Sequence, residues 1–238
     1  NKMALGLKRL EELREEFVFV AAHELRAPVT VIKGYISMIL EGDAGPVRQT
    51  MRGYLDQVQQ ANERLLQLVQ DLLEVARSEA GRIEIEVGPL DIRVPVGASV
   101  EELKQLAKEK SITLSYDAPQ EMPQVMADER RIKEIMVNLA GNAIKYTPEK
   151  GHVWVSHAVS QTEVITRVKD DGFGISKEAQ EKMFEKFYRV KTEKTRDITG
   201  TGLGLFIVKQ LVEKMKGKIW FESEEGKGAT FSFSLPVK

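Results

Sequence analysis

The chain opens with two long segments in which apolar residues recur every three or four positions, the spacing that lines one face of an α-helix. In residues 3–41, the positions with 3-4-3 spacing are Leu10, Leu13, Phe17 and Val20. In residues 47–79, the alternation runs for three heptads through Leu55, Val58, Asn62, Leu65, Val69, Leu72 and Ala76. A turn with two glycines and a proline separates the segments at residues 41–46. The pattern therefore predicts two long helices joined as a hairpin that ends near Gly81.

Such a hairpin on its own leaves its apolar seam half exposed. A second copy of the chain can cover the seam by completing a four-helix bundle, and we therefore expect a homodimer formed through the hairpin. The alternative is that the seam packs on the rest of the same chain.

After Gly81 the apolar period shortens and the sequence alternates between strand-like and helix-like runs. The predicted strands are residues 83–87, 112–116, 152–159, 163–169, 218–222 and 229–235. The predicted helices are residues 100–110, 128–145 (with Asp128 as N-cap) and 203–216. Helices combined with hairpin-linked strands indicate an α/β two-layer sandwich. We thus expect a multidomain chain, with an all-α hairpin in residues 1–82 and an α/β domain in residues 83–238.

Composition narrows the class of protein. The net charge of −1 argues against a nucleic-acid binder, because such proteins usually carry a basic excess. The absence of cysteine excludes disulfides and fits a reducing compartment. No apolar run approaches the roughly 18 residues of a membrane span, so we expect no membrane contact within this sequence. Because the sequence begins with Asn1 rather than Met, we expect a fragment of a longer protein, cytoplasmic by itself or as the cytoplasmic part of a membrane-bound protein.

One face of the predicted helix at residues 128–145 carries polar side chains suited to a metal–phosphate ligand. Asn138, Asn142 and Lys145 follow each other at 4-3 spacing beside the apolar stripe of the helix. The amides offer carbonyl oxygens to hydrated Mg²⁺, and the ammonium offers positive charge to phosphates. The alternative is an ordinary solvated polar face.

Two glycine-rich loops follow further along the chain. Residues 170–174 read Asp-x-Gly-x-Gly directly after a predicted strand, and residues 200–204 read Gly-x-Gly-x-Gly at the start of a predicted helix. Glycines in the first loop let the backbone approach a planar ligand, and the carboxylate of Asp170 can accept a hydrogen bond from an exocyclic amine. Free amides at the helix start favour a phosphate. Taken singly, each loop is a weak signal, and neither is a Walker A or Rossmann motif.

The order of these motifs, with a Phe-rich segment at 184–189 between the loops, resembles the N, G1, F and G2 boxes of sensor histidine kinases. The segment His23–Pro28, which reads His-Glu-Leu-Arg-Ala-Pro, resembles the H box of the same family. The resemblance covers nearly the whole chain. It implies a dimerisation and phosphotransfer hairpin, followed by an ATP-binding domain of the Bergerat (GHKL) fold.

The resemblance also implies roles for individual residues, with ATP and Mg²⁺ as cofactors. Asn142 would be the Mg²⁺ ligand, and Asp170 would recognise the adenine amino group. Arg189 would reach the γ-phosphate. The other residues implied to border the nucleotide are Asn138, Lys145, Tyr146, Gly172, Gly174, Gly200, Gly202 and Gly204. One departure is Asp171, where the family often has Asn; we expect little consequence from it.

His23 is the expected phospho-acceptor. His23 lies beside Glu24 and five residues before Pro28. Because proline has no N–H, Pro28 is expected to kink the helix near Glu24. A neutral imidazole can attack the γ-phosphate, with Glu24 accepting the proton of the other ring nitrogen. By analogy with the family, the phosphoryl group then passes to an aspartate in the receiver domain of a response regulator. His152 and His157 are expected to be structural.

Ala27 occupies the position where the family's His-Glu-x-x-Thr or His-Glu-x-x-Asn pattern supplies a polar side chain that positions water for dephosphorylating the partner. Alanine has no hydrogen-bonding group, so we expect weak phosphatase activity. Thr30, seven residues from His23 on the same face, is a partial substitute.

Two other classes of protein compete with the kinase. A plain ATPase of the same nucleotide fold would have Glu at the position of Asn138, because a water nucleophile needs a base. A non-enzymatic dimeric scaffold would lack motif residues that this chain retains. Whether phosphoryl transfer occurs within one subunit or across the dimer is left open by the sequence.

Overall fold

A computed structural model describes residues 2–190, 192–196 and 198–238, with side chains described from Val18 onward. The chain divides into two compact units, of which the first ends at Ile83 and the second begins at Glu84. Within the described part of the chain, none of the helices combines the length and the apolar character that a membrane crossing requires.

The first unit is built from two helices, α1 (Lys2–Glu41) and α2 (Gln49–Glu79). Ala22 on α1 packs with Val69 and Leu73 on α2. Further along α1, the backbone oxygen of Val29 accepts a hydrogen bond of 3.1 Å from the buried side chain of Asn62. Because later residues of α1 meet earlier residues of α2, the two helices run antiparallel. The predicted hairpin is confirmed.

The seam of α2 is only partly covered inside this hairpin. Asn62, Val69 and Ala76, one position from each heptad, are buried. Val58 and Leu65, at the alternate position, remain 48% and 40% exposed. On α1, the predicted seam residue Val20 is half exposed, and the side chains of Leu10, Leu13 and Phe17 lie outside the described residues.

Pro28 lies inside α1, which is helical on both sides of it. Proline has no N–H, so it cannot donate to the carbonyl of Glu24 four residues earlier. The kink expected near Glu24 stays a prediction.

The second unit is a two-layer α/β sandwich, as the alternation of elements predicts. Its elements are β1 (Gly88–Leu90), α3 (Arg93–Glu109), β2 (Thr113–Asp117), β3 (Val125–Ala127), α4 (Glu129–Tyr146), β4 (His152–Val159), β5 (Glu163–Asp170), α5 (Lys177–Gln180), α6 (Gly204–Lys214), β6 (Lys218–Glu224) and β7 (Gly228–Pro236). The main sheet has the order β2-β4-β5-β7-β6, and β1 pairs with β3 in a small second sheet. In the main sheet, β2 and β4 are parallel and the other pairs are antiparallel.

The alternation of side chains along β5 decides where its last residue points. Val164, Val168 and Asp170 are buried, whereas Arg167 and Lys169 are exposed. Successive side chains of a strand point to opposite faces of a sheet. Asp170 therefore lies on the buried face of the sheet, at the very end of the strand.

The predicted strand at residues 83–87 is wrong. This segment forms no strand, and side chains of other elements bind its backbone instead. The backbone N–H of Glu86 donates to Asp128 Oδ2 at 2.9 Å, and Arg131 Nη2 donates to the backbone oxygen of Glu84 at 3.2 Å. Alternation of apolar and polar residues favours a strand, but a strand also needs a partner, and one is available only from Gly88 onward.

Helix α3 begins at Arg93, well before the predicted start at Val100. The added residues include Pro95, which falls in the first turn. Backbone N–H groups there have no helical acceptor in any case, so proline is tolerated.

Candidate functional site

Asp170 is a buried acid of the second unit, only 6% exposed. Its Oδ1 accepts hydrogen bonds from the backbone N–H groups of Gly172 at 2.9 Å and Ala229 at 3.2 Å. Both bonds use the same oxygen, which leaves Oδ2 for an outside donor. Burial raises the pKa of Asp170 to about 6, against the effect of the two bonds. The group is ionised at neutral pH and is a strong acceptor.

The two glycines after Asp170 are required by close packing. A Cβ on Gly172 would lie 2.5 Å from the backbone oxygen of Tyr146, the last residue of α4. Gly174 has φ of +65°, and its Cβ would lie 2.0 Å from the backbone oxygen of Glu224. The contact of Gly172 with Tyr146 O and a hydrogen bond from the N–H of Phe173 to the same oxygen place the Asp170 turn directly against the end of α4.

Helix α4 starts where the sequence predicts. Asp128 is its N-cap, and its Oδ1 accepts from the N–H groups of Arg130 and Arg131. The apolar stripe of the helix is buried at Ile132, Met136, Leu139 and Ala143. The neighbouring polar positions are less enclosed: Asn138, Asn142 and Tyr146 are half-buried, and Lys145 is exposed.

Asn138 and Gly204 lie in contact, although they are far apart in the sequence. A Cβ on Gly204 would lie 2.3 Å from Asn138 Oδ1. The side-chain nitrogen of Asn138 donates to the backbone oxygen of Glu134 at 3.0 Å, which directs the amide oxygen toward the start of α6. The structure thus joins the polar face of α4 to the second glycine loop.

The second glycine loop also meets the Phe-rich segment. The N–H of Phe187 donates to Gly202 O at 2.9 Å, and a Cβ on Gly202 would lie 2.7 Å from the backbone carbon of Phe187. Both residues have positive φ, 62° and 74°. Gly200, in contrast, has no atom of another described residue within 4 Å of its Cβ position apart from its chain neighbours, so these described residues impose no steric requirement for glycine.

Arg189 is half-buried and interacts within its own segment, where its Nη2 donates to the backbone oxygen of Ile198. The same segment is held by Thr195, whose hydroxyl donates to Val190 O at 2.8 Å. Thr195 is buried, and nothing in the local sequence pattern indicated that role.

His23 is exposed on α1, and its Nδ1 lies 3.5 Å from Glu24 Oε1. The preceding residue, Ala22, faces α2, so His23 lies about 100° further round α1, beside the contact between the two helices. Ala27 is exposed as well. The hydroxyl of Thr30 donates to Arg26 O at 2.8 Å within the same helix.

The other two histidines have defined partners. His157 lies between Tyr116 and Thr166, with hydrogen-bond distances of 2.8 and 3.0 Å, and burial lowers the pKa of His157 to about 4. His152 contacts the carboxylate of Asp171, a partner that sequence analysis did not identify.

Comparison with known proteins identifies the family to which the chain belongs. A His Kinase A (phospho-acceptor) domain model matches residues 13–81, and a model of the histidine kinase-, DNA gyrase B- and HSP90-like ATPases matches residues 127–238. A phospho-acceptor hairpin followed by this ATPase fold is the architecture of a protein-histidine kinase. The chain belongs to the sensor histidine kinase family.

Individual relatives agree with this assignment. The chain is 35% identical to the sensor histidine kinase WalK of Bacillus subtilis over 97% of its own length and 38% of that protein. A crystal structure of full-length ShkA in complex with AMPPNP has a TM-score of 0.76 and 31% identity, over 94% of this chain and 46% of ShkA. Histidine kinase ThkA, in a complex with the response regulator TrrA, has a TM-score of 0.66 and 27% identity, over 100% of this chain and 66% of ThkA. The chain spans about two fifths of WalK.

Proposed function

We propose that the chain catalyses ATP-dependent phosphorylation of its own His23 and passes the phosphoryl group to an aspartate of a response regulator. The contact between Asn138 and Gly204 carries this proposal, because it joins the proposed metal-binding helix to the proposed phosphate loop. Residues 1–82 would serve dimerisation and phosphotransfer, and residues 83–238 would serve catalysis.

The nucleotide would be held by the second unit. Asp170 Oδ2 would accept from the adenine amino group, in a pocket shaped by Gly172 and Gly174. The start of α6, with Gly200, Gly202 and Gly204, would bind the phosphates through backbone N–H groups. Lys145 and Tyr146 would border the same ligand, as last residues of α4. AMPPNP in the related ShkA structure supports an adenine nucleotide as the ligand.

The donor groups of α4 suit Mg²⁺. Among the described residues there is no group of three or more His, Cys, Asp or Glu side chains that could hold a metal alone. Mg²⁺ commonly takes only one or two protein oxygens and completes its shell with water and phosphates. Asn142 would supply such an oxygen, with Asn138 beside it. When bound, the ion would neutralise charge on the transferring phosphoryl group.

His23 would attack through Nε2. Glu24 lies beside Nδ1 and would keep the ring proton there, which leaves the lone pair on Nε2. The new bond would join Nε2 to the γ-phosphorus, and the bond between that phosphorus and the β–γ bridging oxygen would break, so that ADP leaves. Glu24 would then take the proton from Nδ1, which leaves the phosphorylated ring neutral. Arg189 would stabilise the charge on the γ-phosphate after leaving its contact with Ile198 O.

The hairpin would form a homodimer. Val58 and Leu65 are apolar seam residues that α1 does not cover, and a second hairpin would bury them. The partner for onward transfer would be a receiver domain, as the complex of ThkA with TrrA supports. We place this activity in the cytoplasm, where ATP and receiver domains are present, and propose no nucleic-acid partner.

Incubation with γ-labelled ATP and Mg²⁺ tests the proposal. The wild type should acquire acid-labile, alkali-stable label, and His23→Gln should acquire none while binding ATP normally. Lys33→Gln, an exposed change on the same helix, is the matched control and should label like the wild type. Release of ADP without labelled protein would instead indicate an ATPase, and neither product would indicate a scaffold.

A further inference from the structure

Asp171, the neighbour of Asp170, is held at two points by one residue. The backbone N–H of His152 donates to Asp171 Oδ1 at 2.7 Å, and the ring Nδ1 of His152 lies 3.0 Å from Asp171 Oδ2. In the other direction, the N–H of Asp171 donates to His152 O at 3.3 Å. Both side chains are partly exposed, at 47% and 40%.

This pair joins two segments that flank the proposed nucleotide site. His152 begins β4 just after the turn that leaves α4, and Asp171 follows Asp170 at the end of β5. The approach is close: a Cβ on Gly151 would lie 2.8 Å from Asp171 Oδ1. Any movement of Asp171 away from His152 would therefore shift the turn that carries Asp170.

The pair also affects the charge of the site. Burial opposes ionisation of Asp171, but the bonds and charge of His152 outweigh burial and lower the pKa of Asp171. The negative charge of Asp171 adds to the effect of burial in raising the pKa of Asp170. The His152 ring stacks on the Trp154 ring, with 5.4 Å between their centroids. Lys169 Nζ lies over the Trp154 ring, 5.5 Å from its centroid. Asp171 thus contacts His152 directly, whereas Lys169 lies over the neighbouring Trp154 ring.

We propose that His152 is a positioning residue of the nucleotide site, which holds the Asp170 turn through Asp171 and holds it more firmly when its ring is charged. The inference rests on the proposed function, since it assumes that Asp170 binds adenine. It explains why this chain can carry Asp at position 171: a histidine stands opposite the carboxylate. A charged ring adds an ion pair to the hydrogen bond between His152 and Asp171, so nucleotide affinity is expected to follow the charge of this ring.

Calorimetric titration with AMPPNP and excess Mg²⁺ at pH 6 and pH 8.5 tests the inference. Comparing variants at the same pH cancels the titration of the nucleotide itself. His152→Ala should bind about two- to fivefold more weakly than the wild type at pH 6 and show a smaller loss at pH 8.5. His152→Lys, which keeps its charge, should bind like the wild type at pH 6 and should bind more tightly than the wild type at pH 8.5. Lys150→Gln, an exposed change in the same turn, should match the wild type at both values.

A double-mutant cycle identifies Asp171 as the mediator. In an Asp171→Asn background, His152→Ala should cause less loss at pH 6 than it does alone. Equal affinity of the wild type and His152→Ala at both pH values would overturn the inference and leave the nucleotide site standing. An equal fold-loss at pH 6 and pH 8.5 would overturn the role of the ring charge. Failure of the wild type itself to bind AMPPNP would instead overturn the proposed function.

Discussion

At the scale of single residues, Asp170 shows a conflict between stability and ligand binding. Its carboxylate is buried, and its pKa is raised to about 6 from the usual 3.8 because burial penalises the charge. An apolar or amide side chain would be easier to bury. We infer that the carboxylate is retained for its ability to accept a donor from an adenine base.

Asp170→Asn should therefore stabilise the second unit while abolishing nucleotide binding. Between pH 4 and 6 the folded wild type holds a proton that the unfolded chain has released, so its free energy of unfolding falls as the pH rises through this window. The loss is about 2–3 kcal/mol and persists at neutral pH. Denaturant unfolding at pH 4 and pH 7.5 should show this decrease in the wild type alone. An identical pH dependence in Asp170→Asn would contradict the assignment.

The glycines of the two loops should differ in what they tolerate. Gly174→Ala forces a side chain into the left-handed region and against Glu224 O, so it should lower the free energy of unfolding by about 2–4 kcal/mol. Gly200→Ala has open space and is the control; its thermal unfolding should change little. Equal destabilisation of both variants would show that the packing around Gly174 is described incorrectly.

Ala27 bears on the phosphatase activity. It is exposed near His23 without a polar group, and the hydroxyl proton of Thr30 is already donated to Arg26 O. Ala27→Thr should raise dephosphorylation of a phosphorylated receiver domain roughly tenfold or more, since a positioned polar group contributes on that scale. Its control is Ala27→Val, which has the same shape without the hydroxyl. A fast wild-type rate that Ala27→Thr leaves unchanged would refute the expectation.

At the scale of elements, the start of α4 fixes the helix that carries Asn138 and Asn142. Asp128 is 6% exposed and accepts three backbone N–H groups: two from the first turn of α4 and one from Glu86. One side chain thereby caps the helix and also binds the backbone of the segment that precedes β1.

Loss of this cap should lower the free energy of unfolding by more than loss of an ordinary helix cap does. Asp128→Ala should lower the free energy of unfolding by about 2–3 kcal/mol, because it also leaves the N–H of Glu86 without its acceptor. Asp128→Asn keeps an acceptor oxygen for the first turn and should lose about half as much. Chemical denaturation monitored by far-ultraviolet circular dichroism would measure both. An effect of Asp128→Ala below about 0.5 kcal/mol would contradict the role given to Asp128.

Elements with strong local signals could be predicted from the sequence, and those that depend on remote partners could not. The N-cap at Asp128 and the strand before Asp170 were evident from residue type and alternation. Residues 83–87 were predicted as a strand because apolar and polar residues alternate there, and alternation cannot show whether a partner strand is present. The contact of Asn138 with Gly204 and the pairing of Asp171 with His152 join residues distant in sequence, so no local pattern contained them.

At the scale of the whole molecule, the order of motifs along the chain is enough to indicate the family and the two-unit organisation. The physical basis for dimerisation comes from the folded hairpin, in which Val58 and Leu65 stay exposed while Asn62, Val69 and Ala76 are buried. Sequence periodicity gives the seam, but it does not show which half a single chain covers.

A charge on the uncovered half of the seam should dissociate the dimer. Leu65→Glu, combined with Val58→Glu, would bury carboxylates in the interface at a cost of several kcal/mol. Light scattering coupled to gel filtration should give the mass of a dimer for the wild type and of a monomer for the double variant. Gln60→Glu, exposed on the same helix, should remain dimeric. A wild type that is monomeric at high concentration would contradict the four-helix bundle.

The most direct test of the account is to locate the phosphoryl group on the intact protein after incubation with ATP and Mg²⁺. Mass spectrometry under alkaline conditions, which preserve phosphohistidine, would be applied to the wild type and to Asp170→Asn. We expect modification of the wild type at His23 and none in Asp170→Asn, whose fold is retained but whose adenine acceptor is lost. Phosphorylation at any other residue, or unchanged modification of His23 in Asp170→Asn, would contradict it.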